Sequence, residues 1–163
     1  MITIEPPSTS TIPASALSKS GLTRFLNRAR LAIGLVGDVE VLLADDATLK
    51  RLNRAYRGKN KATDVLSFPA AYNEFGGEEQ TAGDLAISLE TAARQAEAYG
   101  HSLRDEVRIL LLHGLLHLHG LDHEVDQGEM AAREALLRKE LRLPDGLIGR
   151  VSDTPKPSRR TKA

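Results

Sequence analysis

The pattern of apolar and polar positions divides the chain into short strands interleaved with amphipathic helices. Ile2 and Ile4 alternate with polar neighbours, the period-two signature of a short strand over residues 1–5. Residues 6–14 are rich in Pro, Ser and Thr and predict a loop. Leu17, Leu22, Phe25, Leu26, Ala29 and Ile33 recur at helical spacing, so a helix is expected from Ser15 or Ser18 to about Ile33, with Gly34 as its stop. A β-rich run covers residues 39–44. Asp45 or Asp46 can then cap a helix that buries Leu49, Leu52 and Tyr56 and closes at Gly58. Residues 63–68 read as a strand ending at Pro69, residues 70–81 as a polar surface loop, and residues 83–88 as another internal strand.

The second half is more helical. A helix opens at Ser88 or Leu89 and stops at Gly100, and Ser102-Leu-Arg-Asp105 has the form of a capping box for the next one. From residue 109 to 118 that next helix is apolar almost all round, which predicts a central, buried position. Asp126-Gln-Gly-Glu129 can cap a last helix to about residue 141, and the chain is irregular from Pro144 on. Residues 151–163 are polar and basic and are expected to be a disordered tail. The sum predicts a single α+β domain over residues 1–150, a mixed sheet of about four strands packed with about five helices.

The buried helix carries chemistry. Four of the five histidines fall in His113-Gly-Leu-Leu-His117-Leu-His119-Gly120-Leu-Asp122-His123. His113 and His117 are four apart and share one helix face. His119 is rotated by roughly 200–240° from them, which suits a packing or supporting role. Gly120 can end the helix in the left-handed conformation and turn the chain so that His123 returns to the His113/His117 face. Three imidazoles around an open position are what a catalytic zinc requires. The spacing H-x-x-x-H-x-x-G-x-x-H is that of metzincin proteases, except that Gly114 stands where their general-base Glu would be. Asp122, beside the third candidate ligand, can orient an imidazole from behind the metal or stabilise the turn.

Composition removes other classes. The formal net charge is zero and aromatics make up 4%, which argues against a general nucleic-acid binder or a base-stacking platform. Without Cys there are no disulfide partners and no thiolate-bound zinc. No stretch approaches the ~18 apolar residues of a membrane helix, and the N-terminus lacks a signal-peptide order. A soluble, cytoplasmic protein is expected. Residues 50–61 hold Lys50, Arg51, Arg54, Arg57, Lys59 and Lys61 with no acid. Lys50, Arg51 and Arg54 read as a solvated helix face. Arg57, next to Gly58 at a helix end, can project into a cleft and grip a phosphate with two hydrogen bonds. Asp64 and Asp84 read as turn-forming acids at strand starts, or as groups facing the metal cleft.

These residues carry a resemblance. The histidine stretch resembles the signature of the YbeY endoribonucleases, bacterial rRNA maturation factors. So do Leu52-Asn53-Arg54-Ala55-Tyr56-Arg57-Gly58-Lys59 running into Thr63-Asp64-Val65-Leu66-Ser67-Phe68-Pro69, and Gly83-Asp84-Leu85-Ala86-Ile87-Ser88. The three blocks keep their order across residues 37–142. The resemblance implies a small α+β domain with two ligands on a buried helix. It implies a cytoplasmic, zinc-dependent, single-strand-specific endoribonuclease that matures ribosomal RNA, notably the small-subunit 3′ end, and serves ribosome quality control. Its substrates and partners would be single-stranded ribosomal RNA and ribosomal particles. Its Zn2+ ligands map onto His113, His117 and His123, and its important arginine maps onto Arg57. Leu121, where an aromatic is common, and Asn60 and Ala62 depart from the family pattern without removing a ligand.

Two other readings compete. A metallopeptidase-like hydrolase shares the histidine spacing but needs the base that Gly114 removes. A ribosome-assembly factor with a mainly structural metal would more naturally have four ligands than three.

Overall fold

The structure, a computed structural model, describes residues 2–4, 17–69, 81–120 and 127–144. The elements run β1 (Ile2–Ile4), α1 (Lys19–Ile33), β2 (Asp38–Ala44), α2 (Asp46–Arg57), β3 (Val65–Pro69), β4 (Thr81–Ser88), α3 (Leu89–Tyr99), α4 (Leu103–Leu118) and α5 (Glu129–Glu140). The strands form one mixed sheet in the order β1-β2-β4-β3, parallel except for β3 at the edge. Neighbouring parallel strands need a long crossover, and α1 supplies it between β1 and β2. The α+β class and, among the described residues, four strands with five helices are those predicted from the pattern. No described helix is long and apolar enough to cross a membrane.

Local chemistry sets the helix starts. Ser18, Asp45, Ser88 and Ser102 each accept a hydrogen bond from a backbone N–H three residues on, satisfying donors that the first turn leaves open. The caps of α1 and α2 are therefore Ser18 and Asp45. The start of α5 is Gly128, which makes no side-chain cap bond; the expected Asp126 lies outside the described residues, as do residues 6–14 and the basic tail.

The sheet buries different residues on its two faces. Val41, Leu43, Leu85 and Ile87 join the main core with α1 and α4, whereas Ala44, Leu66 and Ala86 pack with Leu49 of α2 in a smaller cluster. This follows from the alternation of side chains along a strand. Tyr56, expected in the buried face of α2, is instead 69% exposed, with its ring edge-on to Phe68 at a centroid distance of 5.1 Å. It lies in the last turn of α2, where the helix runs past the small cluster.

β4 begins at Thr81, two residues before the strand that alternation predicts. Asp38 pairs with Thr81 and Val39 with Gly83, which leaves Ala82 as an extra residue and interrupts the period-two pattern. Gly83 has φ 141°, and a Cβ there would lie 2.5 Å from the Phe68 carbonyl oxygen and 2.8 Å from Leu118 Cδ2.

α4 is covered on all sides. Ile109, Leu110, Leu111, Leu112, Leu115 and Leu116 are each at most 1% exposed, because α1, α3, α5, β3 and β4 all contact this helix. Each such side chain contributes about 1.5–3 kcal/mol by leaving water. At Gly114 the helix lies close against the sheet: a Cβ there would lie 2.8 Å from Leu85 Cδ2 and 3.1 Å from Leu85 Cδ1. The Ser67 hydroxyl donates to the Gly114 carbonyl at 3.3 Å.

Asp46 ties α2 to α3. Its carboxylate accepts from the Ser88 and Thr91 hydroxyls and from Arg94, while its backbone N–H donates to Glu90 at 2.9 Å. Burial opposes ionisation of Asp46, but the hydrogen bonds from Ser88, Thr91 and Arg94 outweigh it and hold the carboxyl below its ordinary 3.8.

Two expected outcomes follow from this packing. Gly114→Ala gains helix propensity of about 1 kcal/mol but overpacks Leu85, for a net loss of about 1–2 kcal/mol. Gly114→Glu, which drives a carboxylate into the same dry contact, lowers the thermal midpoint much further. A midpoint equal to the parent's for Gly114→Glu would refute the close approach. Asp46→Ala removes charge-assisted hydrogen bonds and costs about 1–3 kcal/mol at neutral pH. Because the folded pKa is depressed, this stabilisation is present above the unfolded value of 3.8 and fades as pH falls below it. Urea titrations of parent and variant from pH 7 to pH 2.5 should therefore converge at the acid end.

Candidate functional site

α4 presents His113 and His117 on the side facing α5. His113 is 5% exposed and His117 half-buried. Their Nε2 atoms lie 3.2 Å apart, and the rings meet edge to face with centroids 4.8 Å apart. His113 Nδ1 lies 3.1 Å from Glu134 Oε2 on α5, and Glu134 is 2% exposed. In the tautomer protonated at Nδ1, His113 donates to this carboxylate and its Nε2 lone pair faces His117.

Two nitrogens on one tetrahedral zinc, each about 2.0–2.1 Å from it, are about 3.3–3.4 Å apart. The observed Nε2 separation is close to that, so the pair fits two corners of such a site. Among the described residues no group of three His, Cys, Asp or Glu side chains converges. The expected third ligand, His123, and the expected supporting acid, Asp122, lie outside the described residues. For His113 the carboxylate behind the ring is Glu134, which the sequence reading did not select. Its signal was present: Met130, Glu134 and Leu137 fall on one helix face, and all three are buried. An acid on an apolar face needs a partner.

His119 is exposed at the C-terminal end of α4, so it is not the packing residue that was one of the two roles expected for it. Gly120 follows with φ 98°, a left-handed conformation that turns the chain off the helix as expected. The fifth histidine, His101, serves the other end of the helix. Its Nε2 lies 2.6 Å from Glu106, which is fully buried.

Gly114 points at Leu85 and Val65 of the sheet. A longer side chain at this position would have to enter the core.

Arg57 is exposed in the last turn of α2, and Gly58 caps that helix in the left-handed conformation. The buried Asn53 side chain donates to the Lys61 carbonyl at 3.0 Å and shapes the loop that follows Arg57. Lys50, Arg51, Arg54, Lys59 and Lys61 are exposed as well. α2 and α4 pack on opposite faces of the sheet, yet both end at the same end of it. Tyr56 touches Phe68, Phe68 pairs with Asp84, and Leu118 abuts Gly83. Arg57 and the histidine pair are thus brought to one end of the sheet, with no hydrogen bond between them.

Asp64 accepts from Val65 N–H at 2.8 Å and from Gln95 at 3.2 Å, the turn role expected for it. Asp84 is not a turn residue. It is exposed within β4, beside Glu40 of β2, and both line a groove of about 450 Å³ with Tyr56 and Phe68. That groove lies on the α2 face, away from the histidines.

Comparison with known proteins agrees with this architecture. The family model described as Endoribonuclease YbeY matches residues 8–142. An endoribonuclease YbeY of Koribacter versatilis is 49% identical over 148 residues, covering 91% of this chain and 93% of that protein. One of Nautilia profundicola is 51% identical over 116 residues, covering 71% and 81%. The solution structure of TM1509 from Thermotoga maritima superposes with a TM-score of 0.55 at 26% identity, covering 86% of this chain and 89% of that one. With a family match over most of its length and relatives near half identity, the chain belongs to the YbeY endoribonuclease family.

Proposed function

We propose that the protein is a zinc-dependent, single-strand-specific endoribonuclease of the cytoplasm, which matures ribosomal RNA at the small-subunit 3′ end and takes part in ribosome quality control. The observation that carries this reading is the pair of facing Nε2 atoms, 3.2 Å apart, on the buried helix of a YbeY-family chain. His113, His117 and His123 would hold the metal. A bound divalent ion there supplies Lewis acidity to a phosphoryl oxygen and acidifies water near neutral pH.

The chain's own residues would do the rest. The nearly dry setting of His113 keeps that imidazole fixed and poorly solvated. Arg57, free of buried constraints at the end of α2, would grip the phosphate and offset the charge that builds up on it. The neighbouring cations of residues 50–61 would draw in the RNA backbone despite a net charge of zero. No base comes from position 114, whose side is occupied by the sheet; this separates the site from a protease's.

The test uses purified zinc-loaded protein with His117→Ala and Arg57→Glu, each offered single-stranded RNA, duplex RNA and a denatured protein. Cleavage of single-stranded RNA alone is expected. His117→Ala should abolish it, and Arg57→Glu should reduce it by about 100- to 1,000-fold. RNA cleavage that persists in both variants would sink the assignment. Proteolysis lost with His117→Ala would establish a peptidase instead, and binding of ribosomal particles without any cleavage would establish an assembly factor.

A further inference from the structure

We propose that Glu134 is the positioning residue of the metal site: from α5 it fixes the tautomer and orientation of His113 and so sets the metal affinity. This rests on the metal reading above and adds a residue that the histidine motif does not contain. A neutral imidazole can carry its proton on either nitrogen, and only the form protonated at Nδ1 leaves Nε2 able to bind a metal. His113 Nδ1 lies 3.1 Å from Glu134 Oε2, and the two residues are 5% and 2% exposed. Water therefore competes poorly for this contact. A carboxylate there selects the Nδ1–H form, raises the basicity of Nε2 and stops ring rotation.

The fold holds Glu134 in place. Met130 and Leu137, one turn to either side, are 0% and 4% exposed and anchor α5 in the core. Arg133 donates to the carbonyls of Ala32 at 3.3 Å and Ile33 at 3.0 Å, at the C-terminal end of α1. Those carbonyls have no partner within their own helix, so this contact clamps α5 to α1. The helix that carries Glu134 is thus held both by its buried apolar side chains and by this clamp.

A purely structural role, in which Glu134 only satisfies a buried imidazole, gives different results. The test measures zinc affinity by competition with a chromophoric chelator, the visible spectrum of the cobalt-substituted protein, and the thermal midpoint of the metal-free protein. The parent, Glu134→Ala, Glu134→Gln and His117→Ala are compared. Glu134→Ala should weaken zinc binding by about 10–100-fold and alter the cobalt bands. Glu134→Gln, which keeps an acceptor oxygen and the volume, should recover part of that loss and remains informative if the alanine variant fails to fold. Zinc affinity and cobalt bands equal to the parent's in Glu134→Gln, together with the same result in any folded Glu134→Ala, would overturn the proposal alone. A parent that does not bind zinc, or His117→Ala binding it equally well, would overturn the metal reading and this proposal with it.

Discussion

The close approach of α4 to the sheet at Gly114 is the contact on which the rest of the site depends. With no Cβ in the way, the helix axis can sit against Leu85 and Val65, and the leucines around it are sealed on every side. His113 and His117 lie on another face of the helix, where His113 meets Glu134 of α5. The same approach rules out the side chain by which metzincin proteases activate water. Packing and chemistry are therefore one constraint here: the glycine that lets the core close is the residue that denies the helix a base.

A helix so deeply buried can carry polar groups only in satisfied pairs, since an unpartnered one would cost several kcal/mol. Among the described residues, two such pairs with a histidine involve α4. Glu106 meets His101 near its start, and His113 meets Glu134 near its finish. The first joins α4 to the end of α3 and is structural. The second leaves one imidazole nitrogen facing a second histidine, and that difference separates a buttress from a candidate metal site. Charge is likewise segregated despite the neutral total. Cations crowd the C-terminal end of α2, while Glu40 and Asp84 line the groove on the same face of the sheet. Opposite charges thus stand close together there, since Tyr56, beside Arg57, lines the same groove.

The sequence by itself determined whatever depends on near neighbours along the chain. Ser18, Asp45, Ser88 and Ser102 cap helices by reaching three residues ahead, and the left-handed stops at Gly34, Gly58 and Gly100 are equally local. The four-residue spacing puts His113 and His117 together by helix geometry alone. The buried character of α4 was legible because a helix that is apolar all round has nowhere else to go. Only the tertiary structure could decide the rest. Ala82 as an extra residue in β4 is a property of pairing with β2, so alternation misplaced the strand start. Tyr56 is exposed because the apolar cluster beneath α2 is too small to cover its last turn. Glu134 reaches His113 from 21 residues away, on a helix whose placement depends on α1. Such meetings are set by how whole elements pack, and a chain read one neighbourhood at a time contains the groups but not their distances.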